Sequence, residues 1–160
     1  MTTALTVIGV GNRLRGDDAV GPLLIDALSA SQADALELID AGSDALGILE
    51  YFENRQEVIV VDACSMGRDP GCLVSFSPSQ ADLVLEEDPL SLHGLGLAEA
   101  LRMAESLKML PEHLKIIGIE PDSIQFNGTL SQPVQRALKI AIKTVQDEFH
   151  RVTKDSEIKS

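Results

Sequence analysis

One stretch near the amino terminus constrains the fold more than any other part of the chain. It runs from Gly9 to Gly21 and reads Gly-Val-Gly-Asn-Arg-Leu-Arg-Gly-Asp-Asp-Ala-Val-Gly. The apolar run Leu5 to Val10 leads into it, and apolar residues at helical spacing follow from Val20 to Leu28. This order predicts a strand, a turn and a helix, the unit from which α/β domains are built. The turn carries two adjacent carboxylates, Asp17 and Asp18.

The rest of the chain repeats this alternation. The run Val58 to Val61 is apolar without alternation, as is typical of a central parallel strand covered on both faces. The segment before Cys72 is too short for a crossover helix, so the strand that follows is predicted to be antiparallel. We therefore expect a three-layer α/β/α fold with a five-stranded, mostly parallel sheet that carries one antiparallel strand. The predicted strands are residues 4–10, 36–39, 58–61, 72–76 and 115–119.

Length and composition favour one α/β/α domain. A chain of 160 residues can bury a full core as a single domain. We assign residues 1–150 to that domain, with a last helix at about Ser131 to His150. Residues 151–160 are polar and are predicted to form a flexible tail.

The charge balance excludes several classes of partner. The net charge of −12 repels phosphate backbones and anionic membranes, so we expect neither nucleic acid nor membrane as a partner. No apolar segment approaches the roughly 20 residues that span a bilayer, and the amino terminus lacks the basic region of a signal peptide. We expect a cytoplasmic protein in which Cys64 and Cys72 are ordinary thiols.

Three side chains fall where an open α/β sheet forms its ligand crevice, at the carboxyl ends of the strands. Asp18 follows the first strand, Asp62 ends the third, and His93 lies on a loop that reaches the same edge. Two carboxylates and one imidazole suit a divalent transition ion such as zinc or nickel. The spacing forms no local ligand motif, however. From the residues alone, helix capping and compensation of the helix dipole are the favoured explanation of Asp17 and Asp18, and His93 fits the start of a helix equally well.

Two other enzyme-site interpretations have less support. Gly9 and Gly11 suggest dinucleotide binding, but Leu14 stands where the third glycine of Gly-x-Gly-x-x-Gly should be. A nucleophilic triad built on Ser65 lacks the Gly-x-Ser-x-Gly elbow that exposes such a serine. Both are therefore ranked below a metal-contacting site.

A phosphoacceptor module is the main alternative from another functional class. Asp17, Asp18 and Asp62 have the order of the acidic residues in a response-regulator receiver domain. The fifth strand, however, ends in Gly-Ile-Glu-Pro, where a receiver has Lys-Pro. Without that lysine the chain has no cation at this position to pair with the negative charge of an aspartyl phosphate.

Five segments together carry a resemblance to a known family. The Gly9 to Gly21 stretch resembles the amino-terminal signature of the hydrogenase maturation proteases, and four further segments agree in order and spacing. These are Ile39-Asp-Ala-Gly-Ser43, the Val-Ile-Val-Val-Asp-Ala around Asp62, Ser91-Leu-His-Gly-Leu-Gly-Leu97 and Gly118-Ile-Glu-Pro-Asp-Ser-Ile124.

The resemblance implies a specific activity. It predicts an aspartyl-type or metal-dependent endopeptidase that removes the carboxyl-terminal extension of a nickel-loaded, nickel-iron hydrogenase large-subunit precursor. It places the catalytic and metal-contacting roles on Asp18, Asp62 and His93, with nickel supplied by the substrate and no tightly bound organic cofactor. We expect the enzyme to be a monomer. Many members have Glu at the position of Asp18, and the Asp18 side chain is one methylene shorter than that Glu.

Overall fold

The computed structural model describes residues 3–30, 34–86, 96–126 and 128–159. They contain a five-stranded sheet in the order β2-β1-β3-β5-β4, in which β4 pairs antiparallel with β5 and all other pairs are parallel. The predicted three-layer fold with one antiparallel strand is confirmed. The strands are β1 Leu5–Gly9, β2 Leu36–Asp40, β3 Glu57–Ala63, β4 Leu73–Phe76 and β5 His113–Ile119.

Four α-helices accompany the sheet in the described part of the chain: α1 Val20–Ser29, α2 Ala81–Val84, α3 Leu97–Ser106 and α4 Gln132–Lys159. The described residues also form three short 3-10 helices, at Gly16–Ala19, Ala45–Tyr51 and Pro78–Gln80. The last of these leads directly into α2. None of the helices in the described ranges combines the length and apolar composition needed to cross a bilayer.

The carboxyl-terminal helix is longer than predicted. It was expected to end near His150 and leave 151–160 as a flexible tail, but α4 continues to Lys159. Val152 is only 5% exposed and extends the apolar stripe of the helix by a further turn. Arg151 pairs with Glu148 and Asp155, at helical spacings of three and four residues. The polar composition of residues 151–160 gave no sign of this packing. The prediction of a flexible tail was wrong, because residues 151–159 are helical.

The sheet separates two apolar clusters. Val58 and Val60 of β3 face the cluster formed with α3 and the 3-10 helix Ala45–Tyr51. Ile59 and Val61 of the same strand face the cluster formed with α1 and α4. All four side chains are at most 1% exposed, so β3 is the doubly covered central strand that its sequence predicts.

Two glycines bring the start of α1 onto the carboxyl ends of the strands. A Cβ on Gly9 would lie 2.5 Å from the carbonyl oxygen of Gly21, and a Cβ on Gly21 would lie 2.7 Å from the carbonyl oxygen of Val61. Only residues without a side chain allow this approach. The turn that carries Asp18 is thereby held against the end of β3.

Candidate functional site

Asp18 lies in the 3-10 helix Gly16–Ala19, directly before α1. Its Oδ2 accepts a hydrogen bond from the backbone N–H of Asn12 at 2.9 Å. The side-chain oxygen of Asn12 accepts in turn from the N–H of Leu14, also at 2.9 Å. The β1–α1 loop therefore folds back on itself and fixes the direction of the Asp18 carboxylate.

Asp62 is the penultimate residue of β3 and lies opposite Gly118 of β5. It is partly buried. Burial raises the pKa of the Asp62 carboxyl well above its usual range, and the negative charge of Asp18 raises it further. A hydrogen bond from the N–H of Ala63 offsets part of this rise. The carboxylates of Asp18 and Asp62 therefore interact electrostatically, although they follow different strands.

His93 lies outside the described residues, so its proposed role stays a prediction. Among the residues that are described, no group of three or more histidine, cysteine, aspartate or glutamate side chains is arranged to hold a metal. The two other histidines, His113 and His150, are exposed and lie away from Asp62 in sequence and fold, with His113 at the amino end of β5.

Asp17 has a different environment from its neighbour. Its side chain is fully buried and accepts four hydrogen bonds from the loop between β5 and α4. The donors are the N–H groups of Asp122 at 2.8 Å, Ser123 at 3.0 Å and Ser131 at 2.7 Å, and the Ser131 hydroxyl at 2.9 Å. No side-chain cap forms at the start of α1, so Asp17 does not cap the helix that follows it; it binds the β5–α4 loop instead. Its partners lie more than a hundred residues away, and no local pattern signals them.

Glu120 is a second buried carboxylate that sequence reasoning assigned no role. It follows β5 and is 6% exposed. Its Oε1 accepts from the N–H groups of Met66 at 2.9 Å and Arg68 at 2.7 Å. These residues belong to the loop that leaves β3, so Glu120 holds the chain that follows Asp62.

Cys64 lies on the same loop and behaves as the ordinary thiol that was expected. Its Sγ donates to the backbone carbonyl of Asp62 at 3.5 Å. Burial raises the pKa of the thiol well above its usual value, and the charges of Asp62, Glu120 and Asp18 raise it further. The thiol stays protonated at neutral pH and is a poor nucleophile.

Arg13 anchors the outer side of the β1–α1 loop. Its guanidinium binds Asp26 of α1 at 2.6 Å and Asp40 at the end of β2 at 2.9 Å. The hydrogen bond from Arg13 lowers the pKa of the Asp26 carboxyl. Asp40 also accepts from the N–H of Gly42 at 3.0 Å, which closes the turn after β2. Arg13 stood in the signature stretch, but nothing in its spacing indicated these partners.

The pair of carboxylates defines what this edge can do chemically. Two nearby carboxyls, one with a raised pKa, can exchange a proton with a reacting group. When both are ionised they offer oxygen ligands to a divalent cation, and the cation relieves their repulsion.

The receiver alternative does not fit this fold. A receiver of the flavodoxin-like type has five parallel strands in the order 2-1-3-4-5. Here β5 lies beside β3, and β4 is an antiparallel edge strand. Asp17, which the alternative required as an acidic-site residue, is turned into the β5–α4 loop by its four hydrogen bonds. The phosphoacceptor interpretation is therefore wrong.

Comparison with known proteins gives a consistent assignment. The family model for HycI, hydrogenase maturation protease, matches residues 22–148, a range that includes Asp62 and begins after Asp18. The hydrogenase expression/formation protein HupD of Bradyrhizobium diazoefficiens is 30% identical over 134 residues, which is 82% of this chain and 70% of that protein. The hydrogenase 2 maturation protease of Escherichia coli is 28% identical over 144 residues, covering 88% of this chain and 87% of that protein.

Solved structures agree with these sequence matches. The hydrogenase maturating endopeptidase HybD from E. coli superposes with a TM-score of 0.76 at 26% identity, over 94% of this chain and 93% of that chain. The hydrogenase 2 maturation peptidase from Thaumarchaeota archaeon SCGC_AB-539-E09 gives a TM-score of 0.66 at 32% identity, over 90% and 96%. The chain therefore belongs to the hydrogenase maturation protease family and is an endopeptidase, a hydrolase.

Proposed function

We propose that the protein removes the carboxyl-terminal extension of a nickel-iron hydrogenase large-subunit precursor after nickel has been inserted. The family supplies the reaction class, and its relatives are named for hydrogenase maturation. The observation that carries the proposal is the electrostatic coupling of Asp18 and Asp62 at the carboxyl edge of the sheet. A protease that must sense a cation in its substrate needs such an acidic pair.

Nickel in this proposal belongs to the substrate. Asp18, Asp62 and His93 contact the ion that the precursor carries, because carboxylate oxygens and an imidazole nitrogen together suit a borderline cation. Burial and the charge of Asp18 make the ionised form of Asp62 unfavourable when no cation is present, so the proton on Asp62 competes with the ion. An arriving dication displaces the proton of Asp62 and offsets the repulsion between the two carboxylates. The site therefore responds to a loaded precursor more strongly than to an empty one.

The cleavage chemistry uses the same residues. Nickel can polarise the scissile carbonyl or activate a water, or it can hold the precursor while a carboxylate acts as general base. Both roles require Asp62 in its ionised form close to the substrate. Asp18 keeps its orientation through the N–H of Asn12 in either case.

The decisive experiment compares nickel-loaded and nickel-free precursors. Each is incubated with the protein, and release of the carboxyl-terminal peptide is followed by mass spectrometry. We expect cleavage of the loaded precursor alone, and loss of cleavage in Asp18→Asn and Asp62→Asn. His113→Ala is the matched surface control and keeps the wild-type rate. Equal cleavage of both precursors would refute nickel recognition, and no cleavage of either would refute the proposed activity.

We also propose that the enzyme works as a cytoplasmic monomer without an organic cofactor. Cys64 and Cys72 are both free thiols, the state expected in a reducing compartment. Light scattering of the purified full chain measures the oligomeric state directly. A stable dimer would refute the monomer.

A further inference from the structure

We infer that Asp17 is a positioning residue for Asp18. Its buried carboxylate ties the β1–α1 loop to the β5–α4 loop and so fixes the backbone that presents the neighbouring carboxylate. The functional half of this inference rests on the proposed function. The structural half concerns the loop alone and can be measured without any substrate.

The two loops meet along a continuous line of contacts. Besides the four bonds accepted by its side chain, Asp17 donates its own N–H to the carbonyl oxygen of Ser123 at 2.9 Å. Gly16 packs against the same residue, since a Cβ there would lie 2.8 Å from that carbonyl oxygen. Gly16 also has φ of +54°, a conformation that side chains rarely adopt. The contact is therefore specific to the backbone of this turn.

Asp18 has little freedom to move independently of this contact. It shares a peptide bond with Asp17, and its own N–H donates to the carbonyl oxygen of Arg15 at 3.1 Å. Its carboxylate accepts from Asn12, within the same tight loop. A shift of Asp17 is thus passed directly to the Asp18 carboxylate. A misplacement of about 1 Å at a reacting group can lower the rate roughly a hundredfold.

The hydrogen-bonding pattern requires a carboxylate. Oδ2 receives three donors and Oδ1 receives one, and every partner is an N–H or O–H group. An asparagine has the same shape but turns an NH₂ group towards donors at one of these two positions. At least one buried donor then loses its acceptor. Asp17→Asn therefore perturbs the link without creating a cavity.

The test uses three full-length variants. Asp17→Asn disrupts the link, and Ser131→Ala removes only the hydroxyl bond and leaves three backbone bonds in place. Glu37→Gln is the control, because Glu37 is a partly buried carboxylate that is held by Arg55 but lies near the start of β2, away from the carboxyl edge. Each variant is assayed for kcat and KM on the nickel-loaded precursor. Hydrogen exchange at the amide of Asn12, the donor to Asp18, is measured by NMR.

We expect Asp17→Asn to lower kcat by at least about tenfold and to raise KM, since displacement of Asp18 weakens its contact with the substrate's nickel in binding and in cleavage. Exchange at Asn12 should rise in the same variant. Ser131→Ala should show smaller changes of the same kind. Glu37→Gln should lower Tm while leaving kcat and the Asn12 amide unchanged.

The inference is overturned if Asp17→Asn matches Glu37→Gln in kcat and in Asn12 exchange. Should Asp17→Asn fail to fold, Ser131→Ala decides by the same two measurements. If the wild-type protein does not cleave the precursor, the proposed function fails, whereas Asn12 exchange still shows whether Asp17 holds the loop. The two failures are therefore distinguishable.

Discussion

Asp62→Asn should make the protein more stable while abolishing its proposed activity. Burial and the charge of Asp18 both raise the pKa of Asp62, so the ionised carboxylate is unfavourable in the folded state. Each unit of raised pKa costs about 1.4 kcal/mol of unfolding free energy once folded and unfolded states are both ionised. The amide removes this cost and keeps an oxygen that can accept from the N–H of Ala63. Every kcal/mol gained raises Tm by roughly 2–4 °C in a chain of this size.

The stability difference between Asp62→Asn and the wild-type protein should grow as pH rises. Below the ordinary aspartate pKa, Asp62 is protonated in both states and the substitution should be nearly neutral. As pH rises from that value to the raised folded pKa, the unfolded chain loses its proton first, and the wild-type protein loses stability relative to the variant. Above the folded pKa the difference becomes constant. Urea unfolding at several pH values measures it. A variant that is less stable at neutral pH, or a difference that does not grow with pH, would refute the reasoning.

Three further predictions test other parts of the molecule. His93→Ala should abolish precursor cleavage with an unchanged Tm, and a variant that cleaves at the wild-type rate would contradict the ligand role. Cleavage by the wild-type protein should weaken below about pH 6.5, because an ordinary imidazole becomes protonated there and cannot bind nickel. Val152→Ala should lower the unfolding free energy by about 1.6 kcal/mol through the loss of two buried carbon groups. Ile158→Ala, at a residue 81% exposed, should leave it unchanged, and equal effects in urea would argue against packing of the last turns. Glu148→Gln should destabilise the protein at pH 7 because the hydrogen bond from Arg151 lowers the pKa of that carboxyl. This stability is lost as pH falls from 4.5 through the lowered folded pKa, so the effect of the substitution should decrease with acidification in the same assay.

Much of the fold could be predicted because its signals are local. The unbroken apolar run of β3 indicated a strand covered on both faces, and the short connection before β4 required an antiparallel strand. The positions of Asp18 and Asp62 followed from the same logic, since parallel strands present their carboxyl ends at one edge.

What the sequence could not indicate depends on distant partners. Asp17 and Asp18 are chemically identical neighbours, yet one faces a loop more than a hundred residues away and the other accepts from Asn12. They bind different partners because their side chains point in different directions from the turn, and no sequence spacing specifies those directions. Glu120 is similar, because its donors, including the N–H of Met66, come from a loop on another strand. The last turns of α4 were missed because one buried valine among charged residues is a weak periodic signal.

The protonated thiol of Cys64 has a consequence for how the metal leaves. A thiolate binds nickel more strongly than carboxylates do, because it is the softer ligand. If Cys64, which lies beside Asp62, were a thiolate, it would compete with the hydrogenase for the ion. Burial, and after it the charges of the neighbouring carboxylates, raise the pKa of the Cys64 thiol and keep this sulfur in its neutral form. In the proposed reaction the carboxylate oxygens of the enzyme therefore bind the nickel only weakly, and the processed subunit keeps its metal when it dissociates.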